Sequence, residues 1–223
     1  MQKFLENNRH YVDKIIELEN STGKSILRKF ETEKDDINFF SRLSEIKFGY
    51  LLLQIFRKNF QYEPNISKLT PDWLIEINGD KIIFEVLRIN PKNEILNKII
   101  DDHKNDVETP KSGAKITNGI LSDYHKIFKK ELTYRELIEQ ENYKLVVCID
   151  ASSFEKLIDI EDIKVFFDFD KITSPVFGHG KFVENIAGLI VIPFMGKTEF
   201  LENVNSQKQL NILNRERIKK DCC

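Results

Sequence analysis

A chain of 223 residues, 41% hydrophobic and 31% charged, is long enough to bury a sizeable interior as one large domain or as a core with extensions. Charges of both signs interleave to a net of -2, so bulk electrostatics draw it to neither nucleic acid nor membrane, and an anionic partner must meet a local basic patch. No stretch reaches the ~18 apolar residues of a membrane span, MQKFLENNRH lacks a signal-peptide core, and Cys148, Cys222 and Cys223 show neither zinc spacing nor a disulfide framework, so a reducing cytoplasm is the expected setting.

Residues 3–19 place Tyr11, Ile15 and Leu18, with Phe4, Leu5 and Ile16, at helical spacing. NSTGKS at 20–25 ends like a phosphate-binding loop. That motif needs a glycine where Leu18 stands and a strand where a helix is predicted, so the stretch reads as a helix–loop junction. Residues 36–58 give the strongest helix, with Phe40, Leu43, Phe48, Leu52 and Ile55 on a broad apolar face. Two prolines in YEPNISKLTPDW break that pattern, and a strand is expected at 73–77. NGD at 78–80 is an Asn-Gly hairpin signal, and KIIFEVLRI is apolar and β-branched enough to be a central strand, ended by Asn90-Pro91.

A helix over 93–103, a polar loop NDVETPKSGA and a longer helix over 115–140 follow. YKLVVCID is an uninterrupted apolar run of the kind buried strands show. IKVFFDFD and AGLIVIPF read as two further strands, with FGHGKF and NIAG as turn material between them. The order predicts an α/β layered sheet of mixed direction. The expected division is an N-terminal helical segment over 1–35, a core over 36–200 and a C-terminal extension over 201–223.

The acidic residues of TPDWLIEINGDKIIFEVLRIN, 70–90, carry the chemistry. Strand alternation puts Glu85 on one face with Ile83 and Leu87, where a lone carboxylate is costly to bury without a partner. Asp72, just before the paired strand, is its expected companion. Two carboxylates a few ångströms apart repel, and a divalent cation relieves the repulsion; oxygen-only ligands with open water positions suit magnesium or manganese. Glu45, aligned with Phe48 and Leu52 on the preceding helix, is a third candidate acid.

An acidic helix residue, then Pro-Asp, then an apolar strand bearing Glu resembles the PD-(D/E)XK nuclease superfamily; here these are Glu45, Pro71-Asp72 and Glu85-Val86-Leu87. The likeness covers about residues 36–150, with weaker echoes in AGLIVIPF and EFLENVNSQKQL. It implies a restriction-endonuclease-like three-layer core, a mixed β-sheet flanked by helices. It also implies magnesium- or manganese-dependent hydrolysis of phosphodiester bonds. Asp72 and Glu85 would hold the metal, and Glu45 would support it or a coordinated water. DNA is the expected substrate, in a bacterial defence or mobile-element setting, with a homodimer as one arrangement that cuts both strands.

The departure is at position 87, where the family's lysine belongs and this chain has leucine. Arg88 is adjacent but alternates to the opposite face. The expected reservoir is the following helix, where Lys115 and Lys126 share a side with Asn118 and Ser122, and Lys126 is the candidate migrated cation. Leu87 equally favours a second class, a degenerate nuclease-like module that binds nucleic acid or a protein. A third class is a structural α/β protein whose acids pair with Lys and Arg.

Ordinary readings stand beside these. Asp72 is also a turn residue after proline, Glu85 a salt-bridged strand carboxylate and Glu45 a boundary residue. The run from Lys111 to Lys130 fits a solvated helix face, and FGHGK at 177–181 a hairpin tip. No ligand spacing joins His10, His103, His125 and His179, Trp73 reads as sheet packing, and Cys148 as a small buried apolar residue.

Overall fold

A computed structural model describes residues 9–33, 35–57, 59–89, 113–152, 160–167, 180–193 and 196–222. The helices are α1 (Arg9–Thr22), α2 (Leu27–Thr32), α3 (Asp36–Phe56), α4 (Gly113–Gln140), α5 (Ile160–Phe166), α6 (Gly180–Asn185) and α7 (Ile212–Cys222). The strands are β1 (Phe60–Tyr62), β2 (Trp73–Ile77), β3 (Asp80–Arg88), β4 (Lys144–Asp150), β5 (Ile186–Ile192) and β6 (Glu199–Glu202). They form one six-stranded sheet in the order β1-β2-β3-β4-β5-β6. β3, β4 and β5 run parallel, while β1, β2 and β6 pair antiparallel with their neighbours.

The β2–β3 hairpin turns on Asn78 and Gly79, whose φ values of 51° and 82° are both left-handed, as a two-residue turn matched to strand twist requires. From the Ile77–Asp80 pair the register runs without slippage to Trp73–Phe84. α3 starts on Asp35, whose side chain accepts from Asn38 N at 2.8 Å, and stops at Arg57, left-handed at φ 61°.

The sheet is covered on both faces. On one, Ile82, Phe84 and Val86 of β3 pack with α1, α2, α3 and α7 through residues such as Ile15, Phe30, Leu52 and Ile218. On the other, Ile83 packs with Ile127, Leu137 and Ile138 of α4, Ile163 of α5 and Phe182 of α6. Trp73, on the first face, stacks on Phe60, meets Tyr62 at a tilt and donates its indole N–H to the Glu45 carbonyl at 3.1 Å. The ring lies so close to α3 that a Cβ at Gly49 would overlap it.

Several expectations need correction. The start of IKVFFDFD is helical: α5 ends at Phe166, and Ile163 and Phe167 both reach the core four residues apart, a helical spacing that the density of β-formers hides. NIAG is not a turn, because Asn185 closes α6 and Ile186 opens β5 directly. The short strands β1 and β6 escaped the sequence reading because each forms against a neighbour rather than from its own pattern. Leu210, Ile218 and Cys222 from beyond residue 200 join the core around α3. The expected helix over 93–103 and the residues Lys111, His103 and His179 lie outside the described residues, as do the side chains of Lys115, Asn118, Ser122 and His125. Among the described residues, no helix is long and apolar enough to cross a membrane.

Candidate functional site

Continuing the β2–β3 register one pair past Trp73–Phe84 sets Asp72 opposite Glu85. The two are tied through the backbone: Asp72 N donates to Glu85 Oε1 at 3.2 Å and Val86 N donates to Asp72 Oδ2 at 2.7 Å. Glu63 continues the row on the other side, its N–H donating to the Asp72 carbonyl at 3.0 Å.

Glu85 is buried and points to the α4 face, as its alternation with Ile83 requires. α4 meets it with two residues one turn apart. Lys130 Nζ donates to Oε2 at 2.5 Å and the Tyr134 hydroxyl donates to Oε1 at 2.5 Å. Leu87 is half-buried and packs against the α4-side core, and Arg88 turns to the other face, its guanidinium 4.5 Å from the Phe40 ring centroid.

The electrostatics follow from this crowding. Asp72 is held well above the usual carboxylate range by lost hydration, then by the charges of Glu85 and Glu45, which outweigh Lys130 and the Val86 N–H. Burial works against the charge on Lys130, but Glu85 and Asp72 outweigh it and raise its pKa. Burial likewise lifts the Tyr134 hydroxyl, reinforced by Glu85, so it stays protonated and a donor.

Glu45 is half-buried on α3, where its Oε2 accepts from the Tyr62 hydroxyl at 2.9 Å. Burial raises its pKa against the opposing pull of that hydrogen bond and of Arg42. It lines an open polar cleft of about 330 Å³ with Asn38, Ser41, Arg42 and Glu63. Arg42 spans the cleft wall, with Nε 3.4 Å from Glu33 and a terminal nitrogen 3.9 Å from Glu63.

The structure therefore brings together Asp72 and Glu85, with Glu45 within electrostatic reach of Asp72. It does not put Lys126 on Glu85: Lys126 is exposed, and the lysine on that carboxylate is Lys130. No family model matches this chain, nor does any curated protein or solved structure.

Lys130 and Tyr134 were missed, although a signal existed. Positions 127, 130, 134 and 138 fall on one stripe of α4, and Ile127, Tyr134 and Ile138 of that stripe are core residues. A lysine on a core-facing stripe must snorkel or meet a buried acid. Another buried acid lies on the opposite face of the sheet. Asp150, ending β4 on the α3 face, accepts from Ser44 Oγ at 2.6 Å, Lys47 Nζ at 3.1 Å and Ser152 N at 3.0 Å.

The donor chemistry at Asp72 and Glu85 fits a hard divalent cation. Both side chains offer carboxylate oxygens, the ligand type that magnesium and manganese take. Among the described residues, no group of three or more His, Cys, Asp or Glu is arranged to hold a metal. Two carboxylates suit magnesium or manganese, which keep several waters, and not a closed cage.

Proposed function

We propose that the chain is a metal-dependent endonuclease hydrolysing phosphodiester bonds in DNA, with a restriction-endonuclease-like fold. The observation that carries this reading is the convergence of Lys130 on Glu85, opposite Asp72. It supplies from α4 the cation that Leu87 denies the strand. Asp72 and Glu85 would hold magnesium or manganese, which supplies a Lewis acid and lowers the pKa of a bound water.

The chain's own residues do the rest. Lys130 brings positive charge to the carboxylate row, where phosphate oxygens gain charge in the transition state. Tyr134 and the Asp72 N–H fix the Glu85 carboxylate. Glu45 adds negative charge beside Asp72, favouring the cation and any water on it. Lys126, exposed one turn before Lys130, suits a phosphate contact that positions the strand without reading sequence. Leu87 supports the competing reading of a binding module without catalysis.

Supercoiled plasmid incubated with the protein and Mg²⁺ or Mn²⁺ separates the two. Nicking or linearisation that Asp72→Asn and Glu85→Gln both lose is the expected result. Cleavage that survives both substitutions, or none on any nucleic acid, would sink the nuclease reading.

A further inference from the structure

The two donors that α4 sends to Glu85 are not equivalent. Oε1 accepts from the Tyr134 hydroxyl at 2.5 Å and from the Asp72 backbone N–H at 3.2 Å. Both are fixed: the N–H belongs to the hairpin, and Tyr134 is only 4% exposed within the α4-side core. Oε2 accepts from Lys130 at 2.5 Å, and that lysine's side chain is 30% exposed, against 4% for Glu85. One oxygen is thus held by rigid groups, and the other by a flexible chain whose head borders solvent.

We infer that Lys130 is a resident counter-ion, occupying Glu85 until a divalent cation displaces it, while Tyr134 is a permanent anchor that positions the carboxylate throughout. The inference rests on reading Asp72 and Glu85 as a metal site. A buried glutamate left without a partner is strongly destabilising, so the metal-free fold needs Lys130 where it is. An ammonium and a divalent cation on the same carboxylate repel each other, so arrival of the metal drives the ammonium off Oε2. The freed charge stays beside the centre, one swing of its stem away, and is then available to a phosphate. Tyr134 is neutral, does not compete, and keeps Oε1 occupied in both states. Lys130 therefore weakens metal binding and Tyr134 strengthens it, although both touch the same carboxylate.

The test is Mn²⁺ affinity of the intact chain, read by loss of the free Mn²⁺ signal in electron paramagnetic resonance and by calorimetry. Lys130→Gln should bind Mn²⁺ on the order of tenfold tighter than wild type, because it removes a competing charge. Lys130→Arg, which keeps the charge, should stay within about threefold of wild type. Tyr134→Phe should bind on the order of tenfold weaker, as loss of an orienting partner does at metal centres. Asp72→Asn should abolish binding and so place the ion at this centre.

Detectable Mn²⁺ binding only in Lys130→Gln would be the extreme form of the expected result. Weaker binding in Lys130→Gln, or equal binding in Lys130→Gln and Lys130→Arg, would overturn the counter-ion role. Tightening in Tyr134→Phe would make both donors competitors and overturn the separation of roles. No binding by wild type or any variant would overturn this inference together with the metal-dependent reading. Opposite responses of Lys130→Gln and Tyr134→Phe without cleavage of any nucleic acid would uphold the inference and remove only the nuclease.

Discussion

Asp72 and Glu85 face each other across the β2–β3 hairpin and are cross-tied, the N–H of one donating to the side chain of the other and the N–H of Val86 returning the bond to Asp72. These bonds hold both carboxylates in one orientation. The burden falls on Asp72, whose carboxyl is held well above its usual range by burial and by Glu85 and Glu45, whereas Glu85 carries its own lysine.

Keeping that carboxylate buried costs the metal-free fold stability. Folded Asp72 holds its proton more tightly than the unfolded chain, whose value is ~3.9, so stability falls as pH rises from about 4 through the raised folded value. Asp72→Asn should therefore stabilise the metal-free protein at pH 7 by about 1 kcal/mol, and the gain should vanish below pH ~4. Melting curves across that range check it. Mn²⁺ should raise the melting temperature of wild type and leave the variant unmoved. A variant less stable than wild type at pH 7 would mean that Asp72 is satisfied as an anion.

Lys130 and Lys126 should separate in kinetics. Lys130→Met should lower kcat for plasmid cleavage by roughly 100-fold or more, the usual cost of removing a charge that meets the transition state. Lys126→Met should raise KM and leave kcat nearly unchanged, as loss of uniform binding does. Steady-state cleavage assays with both variants decide it, and a kcat loss confined to Lys126→Met would reverse the assignment.

Asp150 should matter for stability and not for cleavage. Burial pushes its carboxyl up, but Lys47 and the hydrogen bonds from Ser152 and Ser44 outweigh that and hold it below its usual range. Asp150→Ala strands those donors and should cost about 3 kcal/mol. Because the folded pKa is depressed, this contribution is present above pH ~4 and lost as pH falls through the folded value. Denaturant melts at pH 7 and at pH 3 should show the gap between wild type and variant closing in acid.

Gly49→Ala pits two effects against each other. In an open helix the change gains up to about 1 kcal/mol of propensity. Here the new methyl would overlap the Trp73 indole, which is fixed between Phe60, Tyr62 and the Glu45 carbonyl. Overpacking should win, with a net loss of about 1–2 kcal/mol, measurable by urea unfolding. Because Trp73 adjoins Asp72, a drop in Mn²⁺ affinity should accompany it.

The pairing of Asp72 with Glu85 was written in the sequence. A two-residue Asn-Gly turn fixes the register of everything after it, and counting outward from Asn78-Gly79 brings position 72 against position 85. Alternation along β3 then sends Glu85 to one face with Leu87 and Arg88 to the other. The long apolar periodicities of α3 and α4 and the unbroken run of β4 were legible for the same reason, since each is a local pattern dense enough to outvote its neighbours.

Only the tertiary structure decided which cation meets Glu85. Lys126, Lys130 and Tyr134 follow one line along α4, and which turn of that line lies over the carboxylate depends on how the whole helix is set against the sheet. Ile127, Leu137 and Ile138 share their core with Leu74 and Ile83 of the hairpin as well as with Leu145 and Val147 of β4, so the setting depends on the assembled sheet. The short strands β1 and β6, the helical turn of α5 and the clamp of Lys47 and Ser44 on Asp150 belong to the same class. None has a local pattern strong enough to specify it, and each is settled by the partner it meets in the folded chain.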